Sequence, residues 1–211
     1  MERLVGIIIR RIKYRENIFF SFLTSRGILK IVAKGVVKPK AKLRGVIELF
    51  DVPRLELIKG KANYILVGGK LIRRPLYLRR NLEKSLFLMV MSEISLAIVK
   101  GEDTNNVFHF WLLLLKKLKE IDLKYLTQFF AFSLVHLLFL EGLIDKNSGR
   151  IFKMKSQFLM DLTNLSFLGL LAKNYSKINY LVFIKAAKRW LQSEGIKFLT
   201  FDLFLGKIDK L

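Results

Sequence analysis

Along the first eighty residues, apolar side chains come in short runs with a period close to two, the pattern of strands that bury one face. Residues 5–9 lead into Arg10 and Arg11. Residues 18–24 are rich in phenylalanine and end at Ser25-Arg26-Gly27, a turn signal that sends the chain back through residues 28–33. A basic connection containing Pro39 follows, then a strand is predicted over residues 46–59. Pro53 inside it predicts an edge position or a bulge, because proline has no N–H to give to a ladder. Gly60-Lys61 turns the chain into residues 63–69. About five short strands with glycine at the bends fit a small closed or nearly closed barrel.

The period changes beyond Pro75. Leu82, Leu86, Met89, Val90, Ile94 and Ala97 recur three or four residues apart, which predicts a helix ending at Lys100-Gly101. Thr104, Asn105 and Asn106 predict the cap of a second helix, almost wholly apolar over residues 107–115. A third is expected over 123–141, stopped by Gly142, and two more over 156–171 and 178–192, with a closing segment at 198–205. The fold class expected is therefore α+β and multi-domain: a strand-built domain over residues 1–76 and an all-α helical domain over 77–211.

High apolar content raises the question of a membrane. The uncharged stretch 125–140 contains Thr127, Gln128, Ser133 and His136 and is shorter than the roughly 20 mostly apolar residues of a spanning helix. It reads as a buried core helix, and no span is expected. The apolar stretch near the amino terminus, about six residues between charged flanks, is too short for a signal peptide. A cytoplasmic location follows as the expectation.

Charge changes the picture most. The 211 residues hold 38 Lys and Arg against 17 Asp and Glu, a net charge of +21. Residues 1–84 account for 21 of the cations and only 6 of the acids. A surplus this large implies a polyanionic partner, nucleic acid or an anionic membrane surface. Cysteine is absent, which removes disulfides, thiol catalysis and cysteine-built metal sites.

Catalytic chemistry is not visible. His109 and His136 each lie in a strongly apolar helix, where a lone imidazole reads as a satisfied core group, and no acid at helical spacing completes a metal site with either. Glu102-Asp103 precedes a helix and suits its dipole. No phosphate loop or nucleophile elbow is present, and Gly68-Gly69 is an isolated pair at a bend. Neither an enzyme nor a cofactor is expected.

The cations carry the function. Arg10, Arg11, Lys13 and Arg15 cluster at the end of the first strand; Arg26 and Lys30 lie on the next hairpin. Lys34, Lys38, Lys40, Lys42 and Arg44 crowd the basic connection, and Arg73 and Arg74 stand at the domain junction with Arg79 and Arg80. Cations on a barrel neutralise phosphates and release counterions, while rings between them give bases a face to stack on. Among Phe19, Phe20 and Phe22 the alternation places some in the core without saying which.

A strand ending in Ala33-Lys34-Gly35, a Lys38-Pro39-Lys40 run, Leu43-Arg44-Gly45 and a segment containing Leu49-Phe50 resembles the N-terminal domain of the RecO family of bacterial recombination mediators. Leu55-Glu56-Leu57, the junction over residues 71–78, Asn81-Leu82-Glu83, and the closing Ala187-Lys188-Arg189-Trp190-Leu191 and Gly195-Ile196-Lys197 continue the resemblance. It implies an oligonucleotide-binding (OB-fold) β-barrel followed by an all-α helical domain. It implies binding of single- and double-stranded DNA, annealing of complementary strands, and loading of RecA, together with RecR, onto DNA coated by single-strand-binding protein. Lys116, Lys117 and Arg189 would be contacts for that protein's acidic tail. Many relatives carry a four-cysteine zinc motif, which cannot be transferred to a chain without cysteine; residues 143–152, where it would sit, read as a bare turn. An RNA-binding module or a basic scaffold on anionic membrane is the competing expectation.

Overall fold

The computed structural model of the protein describes residues 1–37, 42–144 and 175–209, without the side chains of Lys42, Arg44 and Ile178. Two compact units result: Met1–Arg80 with Val99–Leu115, and Asn81–Ile98 with Lys116–Leu211.

In the first unit the strands are β1 (Glu2–Val5), β2 (Ile7–Tyr14), β3 (Asn17–Thr24), β4 (Gly27–Ala33), β5 (Val52–Lys59) and β6 (Tyr64–Arg73). They pair in the order β1-β5-β6-β4-β3-β2. Every pairing is antiparallel except that of β4 with β6. Because β1 and β2 flank Gly6, the two ends of that order belong to one extended run and the sheet closes on itself. Gly6 N–H donates to Pro53 O at 3.3 Å, Ile8 N–H to Asp51 O at 3.1 Å, and Phe50 N–H to Ile8 O at 2.7 Å. A Cβ at Gly6 would stand 2.5 Å from Leu23 O and 2.8 Å from the Phe22 ring, so only glycine admits this crossing. The result is the five-stranded OB barrel.

Alternation explains its core. Ile18, Phe20 and Phe22 of β3 point inward with Ile31 and Ala33 of β4 and Leu55 and Leu57 of β5. Each isoleucine, phenylalanine and leucine among them stabilises the fold by roughly 1.5–3 kcal/mol when fully buried.

Two local expectations change. The run Arg10-Arg11-Ile12-Lys13 does not follow the first strand but lies within β2, beyond an irregularity between Ile8 and Arg10. The strand expected over 46–59 starts only at Val52: Lys42–Val46 is a 3-10 turn, and Phe50 has φ 65°. Burial rather than pairing accounts for those apolar residues, since Ile47 joins the core and the Phe50 ring stacks 6.4 Å from Trp111. Pro53 sits at a bulge between Val52 and Pro53 in a strand paired on both sides.

The helices are α1 (Leu82–Ile98), α2 (Asn105–Glu120), α3 (Leu126–Leu140), α4 (Lys177–Ser193) and α5 (Phe201–Ile208). Thr104 does stand where α2 begins, its carbonyl accepting from Phe108 N–H at 2.8 Å. Its hydroxyl serves a different purpose, accepting from Gly27 N–H and donating to Thr24 O, each at 2.7 Å. In the second unit α3 is central: Phe130 meets Phe87 edge-on at 5.1 Å and Phe204 at 4.5 Å. By length and composition Leu123–Leu140 could cross a membrane, a property shared by core helices, and Phe130, Leu134 and Leu137 are fully buried here. Glu93 of α1 accepts from Leu199 N–H and Thr200 N–H at 3.2 Å, fastening the start of α5.

The two histidines part company. His136 donates from Nδ1 to Phe132 O at 2.9 Å, and burial holds its imidazole below the usual range, as a satisfied core group should be. His109 lies on the exposed side of α2 instead, because the apolar stripe through Val107, Trp111, Leu114 and Leu118 faces elsewhere. The helix expected over 156–171, and all of the expected turn at 143–152 beyond Ile144, lie outside the described residues.

Candidate nucleic-acid interface

The register across β2, β3 and β4 places Arg10 opposite Ser21 and Ser21 opposite Lys30. With strands about 4.8 Å apart, the two cationic residues stand about 10 Å from each other across the outer face. Both are exposed, and neither pairs with a described acid. The next outward row brings Ile12 opposite Phe19 and Phe19 opposite Val32. Between these rows lies a shallow depression of about 200 Å³, bordered by Arg10, Phe19, Ser21, Lys30 and, from the loop joining β5 to β6, Asn63.

Two loops extend the face. In the hairpin between β2 and β3, Arg15 takes φ 53° and its guanidinium lies 5.4 Å from the centre of the Tyr14 ring, which is 57% exposed. Exposed Lys59 and Lys61 flank the β5–β6 loop. Those two loops and the outer face of the second and third barrel strands are where OB barrels receive oligonucleotides. A half-buried Phe19 and a projecting Tyr14 supply ring faces beside cations, the combination that a single strand requires.

Alternation sorts the three phenylalanines: Phe20 and Phe22 are core, at 4% and 0% exposure, and Phe19 faces out. Tyr14 and Asn63 drew no attention in the sequence. The pairing of Tyr14 with Asn17 across the hairpin, in step with Phe19, is the signal that could have found Tyr14.

The remaining cations fall into distinct groups. Lys13, Arg26 and Lys34 are exposed, Arg26 at the β3–β4 turn and Lys34 just after β4. Lys38 and Lys40 lie outside the described residues, and of Lys42 and Arg44 only the backbone is described, in the 3-10 turn. Arg11 is partly engaged: its Nε donates to Ile47 O at 2.9 Å, with Glu48 3.9 Å away. Arg73 is half-buried.

Arg74 is not a free cation. Its Nε donates to Asp51 Oδ1 at 2.9 Å and its Nη2 to Asp51 Oδ2 at 2.5 Å, while the same Nη2 reaches Gly45 O at 2.6 Å. The hydrogen bond to Asp51 pushes the guanidinium above its ordinary range, against the opposing effect of burial. Asp51 Oδ2 also accepts from Glu48 N–H at 3.3 Å. Arg74 therefore fixes the far end of the basic connection instead of presenting charge to a ligand.

In the second unit Lys116 and Lys117 lie in the last turns of α2, with Lys117 3.3 Å from Glu120, and Arg189 is exposed on α4. Among the described residues, no three His, Asp or Glu side chains converge as a metal site would need.

Similarity to known proteins follows the same direction. Over 143 residues the chain is 32% identical to the DNA repair protein RecO of Dehalococcoides mccartyi, an overlap of 65% of this chain and 54% of that one. The chain is a RecO relative. It is also 30% identical over 91 residues to the RecO of Syntrophomonas wolfei, and 32% identical over 119 residues to that of a second Dehalococcoides mccartyi strain. These overlaps cover 36% and 46% of those two proteins, so this RecO relative spans about half the length of the curated proteins it matches. No protein-family model matches the chain. Among solved structures, likeness is slight. The Stn1–Ten1 complex of S. pombe shares 14% identity at a TM-score of 0.27, covering 43% of this chain and 74% of that one. The asparaginyl-tRNA synthetase of Pyrococcus horikoshii shares 15% at 0.27, covering 46% and 30%.

Proposed function

We propose that this RecO relative acts in DNA repair as a recombination mediator, holding single-stranded DNA on the outer face of β2, β3 and β4. It would work in the cytoplasm, at the nucleoid. The row Arg10–Ser21–Lys30 beside Phe19 and Tyr14 is the observation that carries this reading. Unpaired cations draw in phosphates and release condensed counterions, and the rings stack on bases of any sequence. Lys13, Arg15, Arg26 and Lys34, with Lys38, Lys40, Lys42 and Arg44 of the basic connection, extend the charge toward a second strand or a duplex.

Annealing follows from that physics. Two strands repel through their phosphates, and a surface dense in fixed cations lowers the repulsion while leaving base edges free to pair. No bond is made or broken in the protein, so no catalytic set is called for. Partnership with RecR, contact of Lys116, Lys117 and Arg189 with the tail of single-strand-binding protein, and loading of RecA belong to the same reading, supported by similarity to the RecO proteins.

The test is to time duplex formation from complementary DNA oligonucleotides with and without the protein, in the absence of nucleotide. Faster pairing, slowed again in the Arg10→Ala/Lys30→Ala variant, is expected. Unaltered pairing would sink the proposal. Equal affinity for RNA strands or anionic vesicles at matched salt would direct it to one of the other polyanions.

A further inference from the structure

Where β4 gives way to the basic connection, the chain is fastened to the β2–β3 hairpin. Tyr14 pairs with Asn17 across that hairpin, and Ile18 pairs with Ala33, the last residue of β4. Asn17 Oδ1 accepts from Gly35 N–H at 3.0 Å, two residues beyond the strand. The carbonyl of Glu16 accepts from Val37 N–H at 3.3 Å. Gly35 has φ 65°, a left-handed conformation that glycine adopts without strain. Between the two tied residues, Val36 is 4% exposed and belongs to the barrel core. Burial of Val36 keeps this turn on the barrel, but a single apolar anchor leaves the backbone on either side free to rotate. The bond from Gly35 to Asn17 removes that freedom at the residue next to Lys34, which is exposed. Asn17 therefore joins two parts of the charged face: the hairpin that carries Tyr14 and Arg15, and the start of the run that carries Lys34.

We infer that Asn17 is a positioning residue for single-stranded DNA, one that sets the first turn of the basic connection in place before a strand arrives. This rests on the DNA reading of the β2–β3–β4 face. A cation on a loose turn still attracts phosphate, but binding must then also pay to order the turn; a turn already tied loses less freedom. Counterion release depends on how many phosphates are neutralised and is indifferent to the tie. Asn17 thus raises affinity without changing its dependence on salt, and it does so through the cations it positions. Its amide oxygen is already engaged by Gly35, so that oxygen is not offered to a base.

Asn17→Leu, similar in size and without an acceptor, tests it in the full chain. Amide exchange at Gly35, followed by NMR, is expected to speed up, while the melting temperature falls by only a few degrees. Fluorescence anisotropy with labelled oligo-dT is expected to show binding about fivefold weaker, with the log–log salt slope unchanged. The decisive arm repeats the replacement in a Lys34→Ala/Lys38→Ala/Lys40→Ala background, where it should have almost no further effect, because the cations it acts through are gone. Asn17→Asp keeps the acceptor and should leave the Gly35 amide protected. If Asn17→Leu does not fold, Asn17→Ala takes its place in both backgrounds. An equal loss of affinity with and without the lysines overturns the inference, since Asn17 would then touch DNA itself or act through the fold. Unchanged affinity in the wild-type background overturns it as well, and with oligo-dT binding intact the DNA reading survives. A protein that does not bind oligo-dT at all, its Gly35 amide still protected, sinks the DNA reading and this inference with it.

Discussion

Arg74 and Asp51 form a two-pronged ion pair in which the carboxylate is only 1% exposed and the guanidinium about a quarter exposed. Because Arg74 Nη2 also holds Gly45 O, the pair ties the end of the basic connection to the strand that leaves the barrel. Arg11, through Ile47 O, adds a second tether two residues further along.

Removing one partner exposes what the pair does. Arg74→Ala leaves a buried carboxylate without its cation, and the expected loss is about 2 kcal/mol, below the figure for a fully buried pair because Arg74 is partly hydrated. Urea unfolding measures it. Oligo-dT binding by the folded variant should retain the wild-type dependence on salt, since Arg74 neutralises Asp51 and no phosphate. A reduced slope would return Arg74 to the DNA-binding set.

The interface prediction separates charge from stacking. Replacing Arg10 and Lys30 together by alanine should lower the log–log salt slope for single strands by about 0.7 for each phosphate that is no longer neutralised. Phe19→Ala and Tyr14→Ala should instead weaken binding by about 1–3 kcal/mol per stacked base with the slope unchanged. Titrations at several salt concentrations read both. The triple replacement of Lys38, Lys40 and Lys42 should also reduce the slope, in proportion to the phosphates that the basic connection neutralises.

Tyr77 gives a pH signature. Its hydroxyl donates to Leu115 O at 2.9 Å, and burial pushes the phenol up to about 12 from its ordinary 10.0, with nearby Arg73 pulling weakly the other way. A group whose folded pKa is raised binds more protons folded than unfolded between the two values. Its stabilising contribution is therefore complete below pH 10 and falls away as pH rises toward 12. Unfolding free energies measured across that window should decline by an amount on the order of 2 kcal/mol attributable to this residue. In Tyr77→Phe that part of the decline should vanish.

Thr104 reports on the tie between α2 and the β3–β4 hairpin. Its buried hydroxyl serves Gly27 N–H and Thr24 O together, and its own N–H donates to Ser25 O at 3.2 Å. Thr104→Val keeps the shape and strands both backbone groups, at a cost of about 2–3 kcal/mol. Thr104→Ser should keep most of the stability. Chemical denaturation of the two variants side by side decides the point.

Periodicity made much of this legible. Runs of period two marked the barrel strands, and the switch to three- and four-residue spacing marked α1, because burial of one face leaves its mark on neighbouring positions. Thr104 as the start of α2, Pro53 as a bulge and His136 as a satisfied core group were visible for the same local reasons. Residues 46–51 were misread as strand. Their apolar side chains are buried by Trp111 and the barrel core, and alternation cannot distinguish that from pairing.

What the sequence determined by itself was the class of fold and the sign of the protein's own charge. Both are sums over many residues: a pattern repeated along each element, and a charge of +21 that no folding can cancel. What the tertiary structure decided was which charges are available. Arg10 and Lys30 lie twenty positions apart and become neighbours only through the register of β2, β3 and β4, whereas Arg74 meets Asp51 where the start of β5 lies beside the end of β6 and is consumed there. Contact between residues distant in sequence depends on strand order and closure, and no local spacing encodes it.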